Sequence, residues 1–183
     1  MNINLVGSYI IGGLILLSIL GMNGTLIDNS IESIGDYQVK THTSTIAEVL
    51  ANDIRKIGYQ YTESNPLDSI QTHAVQFNGD VTGDNDADVI QWIFAQSAPD
   101  LHTANPSDTS LFRIVNGDTT DFSGGVITFA FTYYDSLGNT TLDTAATKSI
   151  HVQLVCESTE KIGNRYLKSA WSQRFRPINL SGI

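Results

Sequence analysis

Hydrophobic and polar positions follow three successive regimes along the chain. From Ile3 to Met22 the run INLVGSYIIGGLILLSILGM carries no charged side chain; the first acid is Asp28 and the first base Lys40. The run has none of the polar stripe that a core helix of a soluble protein keeps. Twenty residues at about 1.5 Å each give about 30 Å, the thickness of a bilayer core. This predicts a retained membrane-spanning helix. The rivals are a buried core helix and a cleaved secretory signal. A signal needs a basic start and a small-x-small cleavage site, and neither accompanies this run. Val6, Ile10, Ile11, Leu14, Leu17 and Leu20 are the side chains expected to pack against other helices. Small residues, among them the Ser8-x-x-x-Gly12 pair, would let such helices approach closely. Gly21 and Gly24 mark a place for the helix to loosen, since each Gly costs about 1 kcal/mol against Ala.

In the second regime apolar residues recur every three or four positions, at Ile27, Ile31, Ile34 and Tyr37, then at Ile46, Leu50, Ile54 and Ile57. That spacing predicts a continuing helix with one buried face. Asp28, Glu32, Asp36, Glu48, Asp53, Arg55 and Lys56 are expected mostly off it. Gly58 is a natural stop, with Arg55 and Lys56 complementing the terminal dipole. One helix over about residues 4–58 is expected. The polar stretch Lys40-Thr-His-Thr-Ser-Thr45 and the capping-box pattern Thr45-Ile-Ala-Glu48 offer a break as the alternative.

After Gly58 the period drops to two. Strands are predicted at His73–Phe77, Val89–Ala95, Leu111–Val115, Val126–Tyr134, Ser149–Cys156 and Tyr166–Phe175, bounded by turns such as Asn116-Gly117 and Gly124-Gly125. The last three look longest and suggest an antiparallel meander, one face covered by the amphipathic helix. The fold class is α+β: a long N-terminal helix, apolar in its first half, packed by its second half on an antiparallel sheet. Residues 1–27 form the membrane or filament-core segment, 28–58 its amphipathic continuation, and 59–183 a sheet domain.

Charge sharpens this division. The net charge is −9, which argues against nucleic acid as a partner. Neither flank of the apolar run is basic, so the positive-inside rule does not hold the body in the cytoplasm, and an exported body is expected. Residues 61–147 contain twelve acids and one base, Arg113, whereas 161–183 contain five bases and no acid. That polarity could align neighbouring subunits or be spent on ion pairs within one chain.

An apolar N-terminal helix that runs on into a small antiparallel sheet resembles a type IV pilin or pseudopilin. Leu50-Ala-Asn-Asp53-Ile-Arg55-Lys-Ile-Gly58-Tyr59 is similar to the helix end of the larger minor pilins. Phe77-Asn-Gly-Asp80-Val-Thr-Gly-Asp84-Asn-Asp86-Ala-Asp88-Val-Ile resembles their acidic turn and following strand, and Tyr166 to Leu180 their last strand. The chain departs from the family in its start. No basic leader ending in Gly and followed by Phe-Thr-Leu-Ile-Glu precedes Val6, and the family's glutamate in the apolar segment is missing; Met1 suggests a retained N-terminus. The resemblance implies a structural subunit, held in the inner membrane before assembly and then in an extracellular filament with copies of itself and other pilin-like subunits. A membrane-anchored binding module and a type II secretion pseudopilin are the alternatives.

Motifs for catalysis are not found. His42, His73, His102 and His151 are scattered, and no G-x-S-x-G or phosphate-binding loop occurs. Cys156, the single cysteine, is expected to be a buried, inert thiol. The candidate metal site is Asp80, Asp84, Asp86 and Asp88, whose mutual repulsion Ca²⁺ could relieve, although the spacing is not that of an EF-hand. A solvated acidic turn is the plainer reading, and no other cofactor is expected.

Overall fold

The computed structural model describes residues 3–63 and 65–180. Helix α1 (Ile3–Arg55) runs 53 residues without a break, about 80 Å. The polar stretch at 40–45 does not interrupt it because its side chains bond back along the helix. Thr43 Oγ1 donates to the Val39 carbonyl at 2.8 Å, Thr45 Oγ1 to that of Thr41 at 3.0 Å, and Lys40 pairs with Asp36 at 2.7 Å. Thr45 is thereby used inside the helix and does not cap a new one. The regular helix ends at Arg55, three residues before the expected stop, and the chain turns away through Gly58. Gly58 has φ +73°, and a Cβ there would lie 2.6 Å from the Asn179 side chain. Only glycine combines that conformation with that approach.

The strands make two antiparallel sheets, where the sequence suggested one. β1 (Leu67–Ile70), β2 (Ala74–Gly79), β3 (Asp88–Pro99), β4 (Thr109–Val115) and β5 (Asp118–Asp121) pair in sequential order; β6 (Val126–Tyr134), β7 (Ser149–Glu157) and β8 (Lys168–Phe175) form the second meander. A short 3-10 turn, Ile178–Leu180, follows. The longest strand is β3, with 12 residues, so the last three strands are not the longest. β1 and β5 were not foreseen. β5 reads DTTD and is exposed throughout. It has no apolar alternation to announce it, and its pairing is set by the turn before it. Asn116 and Gly117 both have positive φ, 51° and 92°, the geometry of the tight two-residue hairpin.

α1 packs its second half on β7 and β8. Ile46, Leu50, Ile54 and Ile57 are at most 1% exposed, as are Phe129, Val152 and Leu154. Aromatic rings close the space between the sheets: Trp92 of β3 lies 5.9 Å from Phe129 of β6, which meets Phe131 edge-on at 4.9 Å. Backbone and side-chain bonds fix β6 beside the β1–β2 turn, with Phe131 N donating to the Thr72 carbonyl at 2.7 Å and Tyr133 Oη to that of Gln71 at 3.0 Å.

Two corrections concern the helix. Its buried face begins only at Gly35 and Val39; Ile27, Ile31, Ile34 and Tyr37 are 50–71% exposed, because the body reaches no lower on the helix. Asp53, expected off the buried face, is fully buried. Positions 46, 50, 53 and 57 are spaced by four, three and four, which puts Asp53 in the same row as its apolar neighbours.

Candidate functional site

Among the described residues, a large apolar surface is left uncovered along the first half of α1. Val6, Ile10, Ile11, Leu14, Leu17 and Leu20 are 38–65% exposed, and every residue from Ser8 to Ile34 is exposed. The helix is long and apolar enough to cross a membrane, and none of its most apolar window is buried. Three of its hydroxyls are turned inward on its own backbone. Ser18 Oγ donates to the Leu14 carbonyl at 2.9 Å, Thr25 Oγ1 to Gly21 at 3.1 Å and Ser30 Oγ to Leu26 at 2.8 Å. Such bonds satisfy these hydroxyls without help from solvent, as an apolar surrounding would require. The helix continues through Gly21 and Gly24, where a Cβ would meet nothing within 4 Å. Each Leu or Ile buried by a neighbour or by lipid would contribute about 1.5–3 kcal/mol.

The lowest contact of the body with α1 is at Glu32 and Gly35. A Cβ on Gly35 would collide with Ile162 Cδ1, so the loop after β7 sits directly on the helix backbone there. Arg165 of the same loop pairs with Glu32. Beside this clamp is a groove of about 490 Å³ lined by Ile31, Ile34, Val39, His42, Ser158 and Ile162 among others. His42 Nε2 is buried without a partner, and burial lowers its pKa.

The top of α1 is latched to the five-stranded sheet. Asp53 accepts from Arg113 Nε at 2.6 Å and Nη2 at 2.8 Å, and from Trp92 Nε1 at 2.9 Å. The side chain of Arg113 is 19% exposed and that of Asp53 0%. The only base in residues 61–147 is therefore committed to an internal partner. Its bond to Asp53 raises the guanidinium pKa further. The sequence carried two signals for this pair, the helical register of Asp53 and the isolation of Arg113.

The aspartates of the candidate calcium site are divided among separate tasks. Asp88, 2% exposed, accepts the Val81 and Thr82 amides at 2.9 Å each and Asn116 Nδ2 at 2.7 Å. Burial pushes its pKa up, but these donors outweigh burial and hold it below the ordinary value. Asp80, also 2% exposed, takes the amides of Gly83 and Asn85. Asp84 accepts the Asp86 amide at 3.0 Å, and both residues are exposed. Among the described residues no group of three or more His, Cys, Asp or Glu side chains is arranged to hold a metal ion. The carboxylates of Asp80 and Asp88 serve as fasteners for the turn.

One buried acid escaped the sequence reading. Asp108 is 1% exposed and neither carboxylate oxygen receives a hydrogen bond of good geometry among the described residues. Burial raises its pKa, helped by the charges of Asp100 and Glu157 and opposed by the nearby Thr103 hydroxyl and Gly125 amide. The charged form is thus disfavoured in the fold. Stability from this group is complete below the unfolded carboxylate range and is lost as pH rises through the raised value. Asp108→Asn is expected to raise the melting temperature at pH 7, with the gain shrinking towards pH 4; scanning calorimetry across that range checks it, and an unchanged or lowered value at pH 7 would contradict it.

Cys156 is fully buried in β7 and burial pushes its thiol pKa up to about 11. His73 Nδ1 lies 2.8 Å from the Phe129 carbonyl and His151 Nε2 2.7 Å from Ser172 Oγ, while His102 is exposed. The basic C-terminal stretch is spent within the chain only in part. Arg165 pairs with Glu32 and Lys168 with Glu157; Lys161 stands over the Tyr166 ring.

No protein-family model matches the chain, and neither a curated protein nor a solved structure matches it significantly.

Proposed function

We propose that the chain is a non-enzymatic, pilin-like structural subunit that assembles through its apolar N-terminal helix into a type IV pilus-like extracellular filament. The observation that carries this reading is the bare half of α1. A helix of 53 residues is gripped by its own body only from Glu32 upward, and from Ser8 to Ile27 it carries no charged side chain and is exposed throughout. Before assembly that half lies in the inner membrane as a single span. In the filament it packs against the same segment of other copies and of other pilin-like subunits, and the sheets face outward. Assembly then buries surface that no single copy can cover. The segment lacks the glutamate of the standard family, so packing of apolar and small side chains would set its register in place of an ion pair.

The same helix also suits a membrane-anchored binding module, whose copies would remain single. Removing residues 1–27 separates the contribution of the helix from that of the body. The truncated chain is expected to be a soluble monomer by analytical ultracentrifugation, since its core begins at Gly35. Polymers formed by the truncated chain would overturn the assembly reading.

A further inference from the structure

Three of the chain's ten bases, Lys148, Arg174 and Arg176, line one recess of about 330 Å³ at the end of the three-stranded sheet. Ser149 and the turn Asp135–Gly138 complete its walls. Arg174 is held in place there. Its guanidinium lies 3.9 Å from the Tyr134 ring centroid, and its Nε and Nη2 donate to Ser149 Oγ at 2.9 and 2.7 Å. Ser149 is itself 2% exposed. These contacts orient the guanidinium without neutralising it. Among the described residues the ion pairs are Asp36–Lys40, Asp53–Arg113, Glu32–Arg165 and Glu157–Lys168, so none of the three recess bases is paired. Asp135, the one acid on the rim, is engaged by the Leu137 and Asn139 amides at 2.9 and 2.8 Å. An acidic chain thus gathers unspent positive charge at one place.

A complementary surface exists on the other sheet. Asp84, Asp86 and Asp118 are all exposed. Asn116 ties their two turns together, its backbone N donating to the Val89 carbonyl at 3.0 Å and its Nδ2 to Asp88 at 2.7 Å. The three carboxylates therefore share one end of the five-stranded sheet, and none is in an ion pair among the described residues. Both patches sit at the level of the last turn of α1. Lys56 Nζ donates to the Val81 carbonyl at 3.2 Å beside the acidic turn, and the Arg55 guanidinium lies 5.9 Å from the Phe175 ring, next to Arg176. From Leu26 to Arg55 the helix rises about 45 Å, which sets the recess well away from a bilayer holding the apolar segment and disfavours lipid headgroups as its occupant.

We propose that the recess formed by Lys148, Arg174 and Arg176 takes up the acidic end, Asp84, Asp86 and Asp118, of a second copy standing alongside. The contact rests on the assembly reading above and deepens it. It is heterologous, since each copy offers one patch on one sheet and the other patch on the other. Such contacts propagate instead of pairing off, and generate an open helical array when the rotation does not close. The apolar helices supply cohesion, and the charge contact fixes the lateral register of the bodies.

Carbodiimide treatment of the full-length assembled chain tests this, because the reagent joins a carboxylate to a lysine amine as an amide with loss of water. Assemblies mixed from ¹⁵N-labelled and unlabelled chain are expected to give isotope-mixed peptides linking Lys148 to Asp84, Asp86 or Asp118. Lys148→Glu with Arg176→Glu should lower the assembled fraction about tenfold at physiological salt, and adding Asp84→Lys with Asp86→Lys should restore it. Assemblies without any such link, or a reversal that changes nothing, or one that the compensating changes do not rescue, would overturn the contact while leaving helix-driven assembly standing. If the wild-type chain forms no assembly at all, both fall together.

Discussion

Asp53→Ala is expected to lower the stability of the body by about 3–5 kcal/mol, the usual cost of leaving one member of a buried ion pair alone. Asp53 joins the last turn of the helix to two strands of the far sheet and receives three hydrogen bonds there. Its loss strands the Arg113 guanidinium and the Trp92 indole N–H together. Arg113→Ala should be comparably harmful, because it leaves a fully buried carboxylate with only the indole. The double replacement Asp53→Leu with Arg113→Met should cost less than either single change, since it removes both charges at once. Urea unfolding followed by tryptophan fluorescence measures this. Single-variant losses below about 1 kcal/mol, in the range of exposed ion pairs, would show that the latch does not hold the two layers together.

The second large effect lies at the opposite end of the molecule. Leu14→Asp with Leu17→Asp should release the chain from membranes and abolish assembly, because each carboxylate at the centre of an apolar span costs roughly 2.5–3.5 kcal/mol. Both side chains stand clear of the body, 60% and 65% exposed, so its thermal unfolding should be unchanged. Alkaline extraction of membranes and sedimentation of the purified protein read the two outcomes. A variant that stays in the membrane and still sediments as polymer would show that the apolar surface is not what holds the chain there.

These two predictions also mark what could be read from the sequence. The bare helix was legible because it depends on composition alone: an uncharged run about 30 Å long announces itself without any knowledge of the rest. The turn at Gly58 that follows α1, and β6, β7 and β8 to within two residues, were legible because glycine placement and period-two alternation are local signals. The division into two sheets was not, since it depends on which strands meet across long separations. β5 is polar and exposed and derives its pairing from the Asn116-Gly117 turn. Asp53 and Arg113 are 60 residues apart, and no local pattern joins them, although the helical register and the solitary base were each visible. Asp108 left no trace at all, because its burial comes from the loop 100–108 docking against the end of β7, where Ala104 N donates to the Thr159 carbonyl. The acidic run at 80–88 suggested a cation because charge density is visible in a sequence, whereas the amides that Asp80 and Asp88 accept are visible only in the folded turn.

The lateral contact between charged patches and the apolar packing of helices make different demands on salt. Raising ionic strength shortens the reach of charge to a few ångströms and leaves apolar burial intact. Electron microscopy of the purified full-length chain after detergent removal, with the chain lacking residues 1–27 beside it, tests the central claim most directly. The account predicts helical polymers of the full chain, with sheet domains on the outside, and dispersed single bodies of the truncated one. Full-length chain that stays as single copies in the bilayer, or truncated chain that polymerises equally well, would contradict it.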